Sequence, residues 1–217
     1  MKINRIEKEN SVIGNYVAQL RDINIQNDQP KFRRNVQRIG MFMAYEISKT
    51  LNFEDLMVKT PLGESKNSVI KDELVLTTIL RAGLPFHQGF LDVFDHVENA
   101  FIAAFRDYNK DHTQFKIVTE YLASPSIDGK TLLIIDPMIA TGQSMITSLE
   151  VLKQRGTPKR IILVGLIASE QALAFLNEEL DENIELYVAT VDPELDEHNY
   201  IVPGLGDAGD LCYGEKL

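Results

Sequence analysis

Asp136-Pro137-Met138-Ile139-Ala140-Thr141-Gly142-Gln143-Ser144 sits between two patterned runs. Before it, Thr131 to Ile135 is short, apolar and β-branched, which predicts a buried strand. After it, Met145, Leu149 and Leu152 recur at helical spacing. A glycine-containing loop that opens a helix aims backbone N–H groups and the positive end of the helix dipole at one point, which suits a phosphate. Asp136 stands where the strand is expected to end, and Thr141 and Ser144 add hydroxyls. Ligands of parallel α/β sheets collect at that carboxyl edge. No Gly-Lys-Ser/Thr follows, so the loop is not built for the β,γ-phosphates of a nucleotide. A carboxylate ahead of Ala-Thr-Gly-x-Ser suits a sugar phosphate, with Asp136 on ribose hydroxyls and the loop on the phosphate. The plainer alternative is an ordinary strand, turn and helix in which Gly142 only eases the turn.

Two arginines border the same expected edge. Arg81 follows the strand Leu74 to Leu80 and precedes Gly83, while Arg106 ends the strand Ala100 to Phe105. A guanidinium holds a pyrophosphate through paired donors better than an ammonium does. Either arginine alone reads as a surface ion-pair partner; two at strand ends beside one loop favour an anion site.

The second chemical stretch is Tyr200-Ile201-Val202-Pro203-Gly204-Leu205-Gly206-Asp207-Ala208-Gly209-Asp210. Gly204, Gly206 and Gly209 satisfy G-x-G-x-x-G, but no clean strand precedes them and too little chain follows for a dinucleotide-binding unit. The glycine density permits a tight loop whose backbone groups can read a flat ligand edge-on.

Together these stretches resemble the uracil phosphoribosyltransferases, a branch of the type I phosphoribosyltransferases. Asp136 to Gly142 resembles their phosphoribosyl-pyrophosphate loop in its Asp-Pro-Met form, and Tyr200 to Asp210 resembles their uracil-binding signature. Further echoes are Leu20-Arg21-Asp22, Phe32-Arg33, Thr60-Pro61-Leu62 and Leu80-Arg81-Ala82-Gly83-Leu84, so the likeness spans nearly the whole chain in order. Three positions depart from the pattern: Gln143 replaces a second glycine, Ala123 falls where a lysine-bearing segment is usual, and Leu211 replaces an arginine.

The resemblance implies formation of UMP and pyrophosphate from uracil and 5-phosphoribosyl 1-pyrophosphate (PRPP), with Mg²⁺ as cofactor. It implies a PRPP site of Arg81, Arg106, Asp136 to Ser144 and Asp207, a uracil site of Ile201, Gly206, Asp207 and Ala208, and catalytic roles for Asp136, Arg106 and Asp207. No residue is expected to bind the metal directly; Mg²⁺ would reach Asp207 through water and the substrate. A homodimer or homotetramer is expected on the same basis, and GTP is a candidate effector. A phosphoribosyltransferase for another base, or a non-catalytic nucleotide sensor on the same fold, stays open.

Apolar periodicity supplies the frame. Ile13, Tyr16, Val17 and Leu20 mark a first helix; Phe32, Val36, Ile39, Met43 and Ile47 mark a second, with Arg33, Arg34 and Arg38 read as its solvated face. Leu56 to Thr60 reads as a strand and Gly63 to Asn67 as a turn. Strands at 74–80, 100–105, 131–135, 160–167 and 185–190 then alternate with helices at 84–94 and 171–180 and the one after Ser144. That alternation predicts a doubly wound, mainly parallel α/β sheet with N-terminal helices (1–50) and a C-terminal cap (195–217). Residues 106–120 read as an extended arm or long hairpin. Asp107, Asn109 and Asp111 there imitate a calcium loop, but His112 and Val118 stand where it needs glycine and glutamate.

The 217 residues are expected to form a single domain over 1–217. A net charge of −10 argues against nucleic acid or an anionic membrane as partner. The lone Cys212 excludes a disulfide framework, and the polar start has no apolar signal core, so a cytoplasmic location is expected.

Overall fold

The apolar runs form a seven-stranded sheet with helices on both faces. The computed structural model describes the backbone of residues 1–108 and 115–216, and the side chains of those outside 104–120.

The chain begins with a strand, β1 (Lys2–Arg5), and a single 3-10 turn. Helix α1 (Val12–Arg21) starts at Ser11, whose Oγ accepts from Ile13 N–H, and α2 (Gln29–Ser48) starts at Asp28, which accepts from Lys31 N–H. A hairpin of β2 (Phe53–Thr60) and β3 (Gly63–Ile70) leads to β4 (Leu74–Leu80) and α3 (Gly83–Leu91). β5 (Glu98–Tyr108) and β6 (Phe115–Ala123) are antiparallel neighbours. β7 (Thr131–Ile139), α4 (Gln143–Leu152), β8 (Arg160–Ser169), α5 (Glu170–Glu179) and β9 (Glu185–Asp192) continue the alternation. A small ladder of β10 (Glu194–Leu195) with β11 (Ile201–Val202) and the short α6 (Ala208–Tyr213) complete the tail.

The sheet order is β1-β9-β8-β7-β4-β5-β6, parallel throughout except for β5 with β6. Side chains alternate between its faces. Leu133 and Ile135 of β7 and Ile162 and Val164 of β8 join the core beneath α1, α2, α3 and α6. Leu132, Ile134 and Leu163 point to the other core, beneath α4 and α5. Both faces are therefore buried, which explains why the central strands read as continuous apolar runs.

Several expectations need correction. β7 does not stop at Ile135: its ladder with β8 continues through Asp136–Gly165, Met138–Ile167 and Ile139–Ala168, skipping Pro137, which has no N–H to give. Gly63 to Asn67 is not a turn but the start of β3, whose side chains face solvent on both sides and so show no alternation. Arg33 and Arg38 do not form a free solvated face. Arg33 donates to the Cys212 carbonyl and lies 5.9 Å from the Tyr213 ring centre, while Arg38 donates to Asn35 Oδ1 at 3.2 Å and lies 5.3 Å from the Tyr16 ring. The strand at 185–190 is the last of the main sheet, and β10 and β11 after it form a separate two-stranded ladder. Within the expected arm, the β5–β6 ladder runs to Tyr108–Phe115; residues 109–114, and with them most of the calcium-like loop, lie outside the described residues.

Candidate active site

The carboxyl edge of β4 and β7 brings together the loop after β4, the bend that ends β7 and the C-terminal tail. Asp136 is half-buried there and accepts from Met138 N–H at 3.1 Å. Pro137 and Ile139 are buried, and Ile139 belongs to the core under α4 and α5, so these two offer a ligand only their backbone. Met138, half-buried, faces the opposite layer.

Ala140 to Gly142 form the bend. Ser169, the N-cap of α5, donates its hydroxyl to the Ala140 carbonyl at 2.6 Å and accepts from Ala172 N–H at 2.9 Å, so one side chain pins the bend and starts a helix. Gly142 has φ +81° and packs on α5 so closely that a Cβ would lie 2.9 Å from Leu176 Cγ. It supplies no side-chain cap to α4, and the first turn of that helix presents N–H groups next to the Thr141 and Ser144 hydroxyls. Gln143 is exposed.

Arg81 follows β4 through a cis Leu80–Arg81 peptide. Its loop is held tightly over β4, since a Cβ on Gly83 would lie 2.1 Å from Thr78 Oγ1. The guanidinium donates to Asp210 Oδ1 at 2.6 Å and to the Gly214 carbonyl at 3.2 Å. Arg106 lies in β5 opposite Ile117, and its side chain is outside the described residues.

The tail arrives at this edge from the other side. Val202–Pro203 is cis, and Gly204 and Gly206 have φ +60° and +87°, a backbone only glycine adopts readily. Asp207 caps α6, its Oδ1 accepting from Gly209 N–H at 2.8 Å and Asp210 N–H at 3.0 Å, while Oδ2 meets Lys216 Nζ at 3.5 Å. Ala208 N–H points to Met138 Sδ at 3.4 Å. Segments 70 residues apart thus touch.

Sequence reasoning missed the supports of this tail. Arg21, Asp192 and Gln26 hold residues 204 and 205 from α1, its following turn and β9. Arg21 and Gln26 lie 183 and 179 positions from the residues they hold and leave no local pattern to read, whereas Asp192 is 12 positions from Gly204. Cys212 lies close by but is buried, and burial pushes its thiol up to about 12, so it stays protonated and is no nucleophile at neutral pH. Among the described residues no group of three or more His, Cys, Asp or Glu side chains is placed to hold a metal.

A family model described as uracil phosphoribosyltransferase matches residues 7–215. A uracil phosphoribosyltransferase of Porphyromonas gingivalis is 51% identical over 217 residues, covering 100% of both chains. One from Pyrococcus furiosus is 39% identical over 204 residues, covering 93% of this chain and 85% of its own. A solved structure from Aquifex aeolicus superposes with a TM-score of 0.87 at 29% identity, covering 98% of each chain.

Proposed function

The chain belongs to the uracil phosphoribosyltransferase family, and on that premise we propose that it joins uracil to PRPP, releasing UMP and pyrophosphate. The observation that carries the reading is the meeting of the cradle with the glycine-rich bend, through Ala208 N–H on Met138 Sδ and Arg81 on Asp210. One segment suits an activated sugar and the other a flat base, and the reaction needs them side by side.

The 5′-phosphate sits on Ala140 to Ser144, and Asp136 takes the ribose hydroxyls. Arg81 and Arg106 hold the pyrophosphate. The bond from ribose C1 to the pyrophosphate oxygen breaks as uracil N1 bonds to C1 and gives up its proton. C1 is oxocarbenium-like between these events, so positioning and charge stabilisation do the catalysis and no protein nucleophile is required. Backbone groups of Ile201, Gly206 and Ala208, with Asp207 beside them, read the base. Uracil presents an acceptor at O4 and a donor at N3, cytosine the reverse, so a fixed backbone pattern leaves the wrong base unpaired.

Mg²⁺ is the cofactor that suits this chemistry. The Asp207 carboxylate is a hard oxygen group of the kind that would hold it through water, with PRPP supplying the direct ligands. When bound with PRPP it offsets the charge that builds on the departing pyrophosphate.

Residues 1–217 act as one unit, and we place it in the cytoplasm; among the described residues no helix is long and apolar enough to cross a membrane. A homodimer or homotetramer is supported by the β2–β3 hairpin, which forms a sheet of its own and exposes Phe53, Leu56, Met57, Val58, Leu62 and Ile70. A lone hairpin is marginal in water, and so much apolar surface fits a second copy of the chain.

The test is an incubation with PRPP and Mg²⁺ plus uracil, cytosine, orotate or hypoxanthine, followed by nucleotide chromatography. UMP formed with uracil alone is expected. Turnover of another base redirects the assignment, and binding without pyrophosphate release makes the protein a sensor.

A further inference from the structure

Arg21 ends α1 and Asp192 ends β9, and the two meet in a paired fork: Nη1 to Oδ2 at 2.7 Å and Nη2 to Oδ1 at 2.6 Å. Asp192 is 4% exposed. Buried ion pairs of this geometry are costly to place and return little net stability against apolar substitutes. What this pair holds is therefore informative.

It holds Gly204 by both polar groups of its backbone. Asp192 Oδ2 accepts from Gly204 N–H at 2.8 Å, and Arg21 Nη1 donates to the Gly204 carbonyl at 3.0 Å. Gly204, at φ +60°, is folded so far back that a Cβ there would lie 2.0 Å from the Ile201 carbonyl oxygen. Fixing the two faces of the Gly204 backbone therefore fixes the Ile201 carbonyl. A second tie comes from Gln26, whose Nε2 donates to the Leu205 carbonyl at 3.2 Å and to the Leu20 carbonyl at 2.9 Å. Behind the fork, Arg21 Nη2 approaches Thr190 Oγ1 at 3.4 Å, and that hydroxyl donates to Glu7 Oε2 at 2.7 Å.

We infer that Arg21 and Asp192 are positioning residues for base recognition: the fork sets the backbone of residues 201–206 and so the fit of the pyrimidine. The inference rests on the assignment of that bend to uracil. Arg21 and Asp192 act through Gly204 and need not touch either substrate. A lysine at position 21 keeps the charge but not the fork, since one ammonium cannot serve both carboxylate oxygens and a carbonyl in the same plane.

The experiment measures steady-state constants for both substrates in Arg21→Lys and Asp192→Asn, alongside melting temperature. An ångström of misplacement is worth up to about a hundredfold in a well-aligned site. The expected result is a rise in uracil KM of about tenfold or more, with PRPP KM and kcat within about twofold. A purely structural pair gives a lower melting temperature and a smaller active fraction, with both KM values unchanged; that result overturns the inference. If neither variant folds, Asp192→Glu keeps the charge but moves the carboxylate by one methylene, which shifts its hold on Gly204 N–H. It is expected to raise uracil KM alone, and an unchanged uracil KM there overturns the inference as well. Wild-type protein that forms no UMP removes the base assignment and this inference with it, whereas an active wild type with unshifted uracil KM in the variants removes the inference alone.

Discussion

Arg81 Nη2 lies 2.6 Å from Asp210 Oδ1, which joins the loop after β4 to the first turn of α6. The two side chains are 38% and 32% exposed, so the pair contributes at most about 1 kcal/mol to stability after solvent screening. Its interest is functional. The same guanidinium that ties down the tail is the one assigned to pyrophosphate. Arg81→Ala is expected to lower kcat/KM for PRPP by roughly a hundredfold or more, the scale of losing one charge-stabilising group, with a small shift in melting temperature. Asp210→Asn breaks the same ion pair but leaves Arg81 available. Steady-state kinetics should therefore separate the two variants while thermal melts do not. Equal activity losses would mean that Arg81 serves only the tail.

Asp207 has one duty the structure shows and one that is proposed, and a single substitution separates them. As the N-cap of α6 its Oδ1 accepts two backbone N–H groups. Asparagine caps a helix about as well as aspartate, but it lacks the charge that a metal-bound water or the pyrophosphate end of the site calls for. Asp207→Asn is expected to melt within a few degrees of wild type while kcat falls by about tenfold or more. Unchanged turnover would remove Asp207 from the site.

The strand, bend and helix around Asp136 were legible because they rest on strong local signals: a β-branched run, a glycine and a helical period between Thr131 and Leu152. The strand boundary was not. The strand is expected to end at Ile135 with the apolar run, yet β7 continues and Pro137 occupies a step of the ladder that the strand can leave unpaired. The tail could be recognised by its glycines, but not its anchorage: Arg21 and Asp192 are 171 positions apart, and although Leu20-Arg21-Asp22 echoes the family, nothing local says what Arg21 holds. Arg33 and Arg38 failed for a related reason. A helix face bearing arginines looks the same whether it meets water or, as here, the carbonyl end of α6 and the Tyr16 ring. β3 was hidden by its exposure on both faces, which erases the alternation that marks a half-buried strand.

The contact between α2 and α3 sets a limit on stability that the site does not share. Gly89 approaches α2 so closely that a Cβ would lie 2.1 Å from the Gln37 carbonyl oxygen and 2.9 Å from Gly40 Cα, both backbone atoms that no rotamer change can move. Gly89→Ala must push the helices apart and loosen the core around Phe86, Phe90 and Ile39. A loss of about 2–4 kcal/mol is expected from urea unfolding, toward the upper end for overpacking. A variant as stable as wild type would show that the two helices slide freely.

His87 supplies the pH dependence. It lies on α3, 3% exposed, with Nε2 at 2.7 Å from Asn99 Oδ1 and its ring 5.2 Å from that of Phe101. Burial pushes the imidazole below its ordinary value, and the Asn99 contact recovers only part of the shift. The folded protein therefore binds the proton less readily than the unfolded chain. Stability from the neutral ring is fully present above the unfolded pKa of about 6.5 and is lost as pH falls through the lower folded value. Urea unfolding from pH 8 down to pH 5 is expected to show wild type weakening below about pH 6.5, and His87→Leu, which cannot titrate, weakening less over the same interval. Parallel profiles for the two proteins would mean that the imidazole protonates as easily in the fold as outside it.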